Sequence, residues 1–180
     1  MKIVAISGSI SKDSYNRKLI CYMQERYKDK MEIEILSIED FPMYNEDIEL
    51  DTPSIVKEAQ DKIKESDGIL ISTPEFNHSI PGALKNALDW FSRVDHVMIG
   101  KPSMIMGASQ GNLGTVKAQM HLRTILNSRG IGTLNLPGNE VLIGSIQNKV
   151  DNRGNLTDQP TIEFLDETID NYIEWINKVK

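Results

Sequence analysis

Apolar positions along this chain switch between two periods. Four short runs, residues 3–6, 33–36, 69–72 and 104–106, are rich in isoleucine, leucine or methionine and predict strands, with a fifth expected over residues 132–136. Between them, residues 15–27, 53–65, 81–94 and 116–129 carry apolar side chains three and four apart, which predicts helices, and a last helix is expected over 162–179. Strand alternating with helix implies right-handed crossovers and a parallel sheet covered on both faces. The expected architecture is therefore α/β, a doubly wound five-stranded parallel sheet in a three-layer sandwich, forming one domain over residues 1–180. Such sheets bind ligands beyond the carboxyl ends of their strands, where the strand order reverses. The loops after strands one, three and four are accordingly where chemistry is to be sought. Residues 145–160, with Asp151, Asn152, Arg153, Gly154 and Asn155, read as a turn-forming surface excursion before the last helix.

Composition narrows the partners. The 180 residues are 39% hydrophobic, enough for one sizeable core, and 20 basic against 26 acidic residues leave a net charge of −6. An acidic chain has no general affinity for polyanions, so neither nucleic acid nor an anionic membrane is an expected partner. The N-terminal apolar run is too short for a signal peptide and no segment approaches a bilayer span, which makes the cytoplasm the expected compartment. The single cysteine, Cys21, has no internal disulfide partner; within the amphipathic stretch it is expected as a small buried hydrophobe rather than a reactive thiol.

The loop after the first strand holds Ser9, Ser11, Ser14 and Asn16, four hydrogen-bonding side chains within eight positions, just where a helix begins. Free backbone N–H groups, hydroxyl donors and the positive end of the helix dipole converge there, which suits a phosphate dianion. Capping of the helix would use one such residue. Two familiar phosphate loops are excluded by spacing: Ile10 stands where a dinucleotide fingerprint needs its second glycine, and Asp13 and Ser14 stand where a P-loop needs glycine and lysine.

After the third strand come Pro74, Glu75, Phe76 and Asn77, then His78, Ser79, Ile80 and Pro81. Pro74 stops the strand and Pro81 suits a first helical turn, so the segment between has backbone groups to spare. Beside Phe76 these suit a planar ring with a hydrogen-bonding edge and an apolar face, such as a flavin. After the fourth strand, Gly107 to Gly111 enclose Ser109 and Gln110 and spell Gly-x-Ser-x-Gly, the nucleophile elbow of a serine hydrolase. That triad needs an acid and then a histidine downstream, but the only later histidine is His121, a turn or two into the next helix. Small residues here fit better with a loop that leaves one face of a flavin open to nicotinamide. His78, His96 and His121 show no metal-ligand spacing.

Taken together, these residues resemble the NADPH-dependent FMN reductases, a family that includes bacterial azo, quinone and chromate reductases. The resemblance is carried by residues 8–16, by residues 74–90 with Pro74-Glu75-Phe76-Asn77 and the run from Pro81 to Trp90, by residues 107–123, and by the turn 154–158. It implies a flavodoxin-like fold, FMN as cofactor, NADPH or NADH as electron donor, a small-molecule electron acceptor (a quinone, azo compound, free flavin or metal oxyanion), and a homodimer or homotetramer. By the same resemblance Ser9, Ser11, Ser14 and Asn16 hold the FMN phosphate, Pro74, Glu75, Phe76 and Asn77 hold the isoalloxazine, and Ser109, Gln110 and Gly111 border it. Many relatives carry arginine at the position of Ser11, which leaves Lys12 and Arg17 as candidates for that charge. The chemistry belongs to the cofactor, so no side-chain acid or base is assigned. The competing reading is a flavodoxin-type electron carrier without NAD(P)H activity; the open glycine-rich loop favours hydride access and hence the enzyme.

Overall fold

The computed structural model describes residues Met1–Lys180. The sheet is built of β1 (Lys2–Ser7), β2 (Glu32–Leu36), β3 (Gly68–Ser72), β4 (Pro102–Ala108), β5 (Leu134–Asn135) and β6 (Val141–Ile143), all parallel, in the order β2-β1-β3-β4-β5, with β6 also pairing β4. The helices are α1 (Tyr15–Arg26), α2 (Ser54–Glu65), α3 (Gly82–Phe91), α4 (Val116–Leu126) and α5 (Gln159–Val179). This is the expected doubly wound sandwich, and the strand order reverses between β1 and β3.

Two cores flank the sheet because successive strand residues face opposite sides. Ile3, Ala5, Leu70, Met104 and Met106 pack with Leu19, Ile20 and Met23 of α1 and with Leu165, Ile169 and Tyr172 of α5. Val4, Ile6, Ile69, Ile71 and Ile105 pack on the other face with α2, α3 and α4. β3 and β4 are buried at every position, as strands covered on both faces must be. The edge strand β2 instead carries Glu32 and Glu34; Glu34 pairs with Lys2 and Lys62, a charged edge that discourages pairing with another chain. Gly68 opens β3 where a Cβ would lie 2.5 Å from the Tyr172 hydroxyl, which donates to Ile69 O at 2.9 Å and Pro102 O at 3.2 Å.

Three expectations change. The fifth strand does not run over 132–136: only Leu134–Asn135 pair with β4, and the outer edge continues further along β4 as the separate strand β6. Pro137 cannot donate to a ladder, and Gly138 and Asn139 both have positive φ, so the chain turns away and returns. Secondly, Cys21 is exposed rather than buried. The buried face of α1 is set by Asn16, Leu19, Ile20 and Met23, and Cys21 lies one residue, about 100°, beyond Ile20. Finally, α5 begins at Gln159 rather than Ile162, because Asp158 accepts from Thr161 N at 3.1 Å and Pro160 tolerates the first turn.

Candidate functional site

The three loops meet at the carboxyl ends of β1, β3 and β4 and are laced together by the backbone. Gly8 N donates to Ser72 O at 2.8 Å, and Thr73 N donates to Met106 O at 3.0 Å. Gly107 allows the closest approach: a Cβ there would lie 1.8 Å from Thr115 Oγ1 and 2.6 Å from Thr73 O. Only glycine fits that contact.

In the first loop the hydroxyls organise the backbone. Ser9 Oγ accepts from Ser11 N at 3.2 Å and Ser14 Oγ accepts from Arg17 N at 3.4 Å, the latter capping α1. Both are acceptors in these bonds and keep a hydroxyl proton to donate. The amides of Ser9, Ile10, Lys12, Tyr15 and Asn16 have no acceptor within the protein. Together with the α1 dipole they form a donor set of the kind a phosphate dianion requires. Ser11 is exposed at the rim.

Asn16 differs from what its sequence position suggested. Its side chain is 2% exposed and points inward. Nδ2 donates to Ala108 O at 3.0 Å, while Oδ1 accepts from Ala108 N at 2.9 Å and from Ser72 Oγ at 2.9 Å. The side chain thus ties the start of α1 to the ends of β3 and β4, and the Asn16 amide is left without an acceptor within the protein.

The second loop is more self-contained than expected. Phe76 N donates to Ser79 O at 2.9 Å and Ser79 N to Phe76 O at 3.0 Å. Between them Asn77 (φ 51°) and His78 (φ 65°) both have positive φ, as the tight turn of a two-residue hairpin requires. The Phe76 backbone is therefore not spare; the amides of Glu75, Asn77, His78 and Ile80 have no acceptor within the protein, and Phe76, 57% exposed, supplies the apolar surface. The Glu75 carboxylate is also engaged: Oε2 accepts from Lys117 N at 2.9 Å and Ala118 N at 3.2 Å, capping α4 from the neighbouring loop. Pro74 O accepts from Thr73 Oγ1 at 2.8 Å.

In the third loop Ser109 Oγ donates to Gly114 O at 2.7 Å and Gly111 O at 3.0 Å. His121 Nδ1 instead meets Ser79 Oγ at 2.7 Å, so Ser109 has no histidine base and the hydrolase geometry is absent. The amides of Gln110 and Gly111 remain unengaged and open to solvent.

Two residues of the Pro81–Trp90 run that were assigned no role from the sequence hold the surroundings in place. Asn86 and Trp90 of α3 both donate to Pro42 O, at 3.0 and 2.8 Å, and Asn86 Oδ1 accepts from Tyr44 N at 2.7 Å. They fix the segment after β2 beside the site. Their spacing of four on one helix face was the available signal.

A strand order of 2-1-3-4-5 with a hydroxyl-rich loop at its switch point defines a flavodoxin-like fold. The sequence profile of the NADPH-dependent FMN reductase family matches residues 1–148, and the chain belongs to that family. It is 41% identical to the NADH-dependent flavin reductase subunit 2 of Lactobacillus johnsonii over the whole of both chains. It is 37% identical to the quinone reductase of Escherichia coli (strain K12), covering 100% of this chain and 97% of that one. Among solved structures, the flavoenzyme NAD(P)H:(acceptor) oxidoreductase FerB from Paracoccus denitrificans superimposes with a TM-score of 0.89 at 35% identity, over 98% of this chain and 97% of that one. The protein is an FMN-dependent NAD(P)H oxidoreductase.

Proposed function

We propose that this reductase passes electron pairs from NAD(P)H to small, soluble two-electron acceptors of the quinone or flavin class, through an FMN held by the three loops. The observation that carries the reading is the meeting, at the strand-order switch, of a loop of free amides and hydroxyls with a second loop that exposes Phe76. FMN fits the residues present. Its phosphate would take the Ser9 and Ser14 hydroxyls, the rim hydroxyl of Ser11 and the free amides among Ser9, Ile10, Lys12, Tyr15 and Asn16. Its isoalloxazine would lie beside Pro74, Glu75, Phe76 and Asn77, with Ser109, Gln110 and Gly111 along its border. FMN, when bound, supplies the redox chemistry by accepting hydride from nicotinamide and releasing electrons to the acceptor.

The protein's part is binding and access. Asn16, Gly107 and Glu75 set the relative positions of the loops, and the segment from Ser109 to Gly111, exposed at Gln110 and at its glycine, leaves room for a nicotinamide and then an acceptor in turn. Phe76 on the β3–α3 loop, Leu113 on the β4–α4 loop and Met120 on α4 are exposed apolar side chains, which supports a homodimer or homotetramer that covers the site. No helix is long and apolar enough to cross a membrane. The exposed free thiol of Cys21 supports residence in the reducing cytoplasm.

The test is anaerobic spectroscopy of FMN-loaded protein titrated with NADPH or NADH, followed by addition of a benzoquinone or free flavin. Stoichiometric bleaching by the donor and recovery on adding the acceptor is the expected result. Bound FMN that ignores both donors would leave only an electron carrier, and failure to bind FMN would remove the assignment of all three loops. Light scattering at micromolar concentration checks the oligomer, and a monomer would remove it.

A further inference from the structure

A sizeable cleft extends from the edge of the first loop along α1, away from the ends of β3 and β4. It runs along the outward face of α1, encloses about 650 Å³, and is walled by the turn 151–155. Five cations line it: Lys12 from the β1–α1 loop, Arg17, Lys18 and Arg26 from α1, and Arg153 from the turn, with Glu25 as the one carboxylate. In a chain of net charge −6 this is a local reversal of sign. Lys18 and Arg26 are paired with Asp13 and Asp166, but Lys12, Arg17 and Arg153 form no ion pair. Three cations without an ion pair line one concavity, which favours an anion there.

The wall opposite α1 is a built structure. Asp151 Oδ1 accepts from Arg153 N at 2.8 Å and from Asn155 N at 2.9 Å, and Asn155 Nδ2 donates to Asp151 Oδ2 at 3.0 Å, leaving Asn155 Oδ1 as a free acceptor. Gly154, at φ +84°, lets this turn close on the stem of Lys18, whose Cδ would lie 2.4 Å from any Cβ there. Tyr22 adds an aromatic side chain to the lining.

The cleft is continuous with the proposed phosphate loop. Arg17 lines both the cleft and the small pocket bounded by Ser7, Ser9 and Ile10, and Lys12 belongs to the loop itself. A ligand reaching into the cleft from that loop would carry a second phosphate and then a body of several hundred Å³.

We propose that this cleft binds an adenosine phosphate, the unit that FAD carries beyond its flavin phosphate and that NAD(P)H carries beyond its nicotinamide ribose. Phosphate oxygens meet Lys12, Arg17 and Arg153; the base lies against Tyr22 with its amino group toward Asn155 Oδ1. The connection to the flavin rests on the phosphate-loop reading, whereas the charge and shape of the cleft do not.

The experiment is calorimetric titration of ADP into FMN-loaded and FMN-free protein, for the wild type and Arg153→Gln, with circular dichroism to confirm that the variant is folded. Saturable one-to-one binding that Arg153→Gln weakens at least fivefold, with FMN affinity unchanged, is expected. If FAD also binds more tightly than FMN and the variant loses that gain, the adenosine phosphate is that of the flavin. If FAD gains nothing but the variant raises the KM for NADPH several-fold, it is that of the donor. ADP that does not bind to protein that still takes FMN overturns the cleft assignment and leaves the reductase site standing. ADP that binds equally well to Arg153→Gln overturns it also, since the nucleotide then sits elsewhere. Protein that binds ADP in the cleft but takes no FMN would uphold the cleft and remove the phosphate-loop reading.

Discussion

Replacing Asn16 with alanine separates two roles that the sequence could not distinguish. The side chain makes three hydrogen bonds while 2% exposed, to Ala108 O, Ala108 N and Ser72 Oγ. At about 1 kcal/mol net for each bond, and with the Ala108 groups left buried without this partner, the loss is about 3 kcal/mol. Against a total stability of about 5–15 kcal/mol for a protein domain, this is a large fraction. With a urea dependence of about 2 kcal/mol per molar, the unfolding midpoint moves down by about 1.5 M. The decisive assay is urea unfolding of FMN-free protein in phosphate-free buffer, because no anion is then present for Asn16 to bind. FMN affinity should fall as well, since the loops lose their common tie. A midpoint within about 0.3 M of the wild type, together with a large loss of FMN affinity, would refute the reasoning and return the Asn16 side chain to the phosphate.

Four other outcomes follow from the same geometry. Gly107→Ala places a Cβ 1.8 Å from Thr115 Oγ1 and 2.6 Å from a backbone oxygen, so it should cost about 1–3 kcal/mol or more in thermal or urea unfolding and weaken FMN binding. Gly82→Ala, where a Cβ meets nothing within 4 Å, should leave stability unchanged or improve it by up to about 1 kcal/mol. Glu75→Ala removes the carboxylate that caps α4 and should cost about 1 kcal/mol in urea unfolding; an unchanged midpoint would mean that the cap contributes nothing. Hydrogen bonds from Lys64 and then Lys57 hold the Asp95 carboxyl down at about 2, below its ordinary value of 3.8. Because the folded value is the lower one, its contribution is complete above the unfolded value and disappears as pH falls from about 4 to about 2. The difference in stability between wild type and Asp95→Asn should therefore shrink over that window, and a difference constant from pH 5 to 2 would contradict the pairing.

Much of the fold was determined by local pattern. A run such as residues 69–72, apolar at nearly every position, has one stable place in a small protein, the middle of a parallel sheet. The helical repeats, the hydroxyl cluster after β1 and the proline-bracketed segment after β3 follow from periodicity and φ restrictions that act within a few residues. What failed in that reading shows where local rules end. β6 is three residues long, too short to announce itself, and exists because the edge of β4 from Met106 to Ala108 offers it partners. Cys21 was misplaced for a different reason: the phase of the α1 face is set by what packs on it.

The candidate site divides in the same way. Its residue types and their location at the ends of β1, β3 and β4 were written in the sequence, because a phosphate loop needs glycine, hydroxyls and a helix start together. The use of each side chain was decided by tertiary structure. Asn16 and Ser9 look alike in sequence, yet one ties three chain segments together in the interior and the other keeps a hydroxyl proton to donate. Glu75 caps a helix that begins forty residues later, and Arg153 reaches a cleft whose other wall is α1. These are contacts between groups far apart along the chain, so no period or spacing encodes them; they arise only when the sheet sets β1, β3 and β4 side by side and brings their loops within hydrogen-bonding distance.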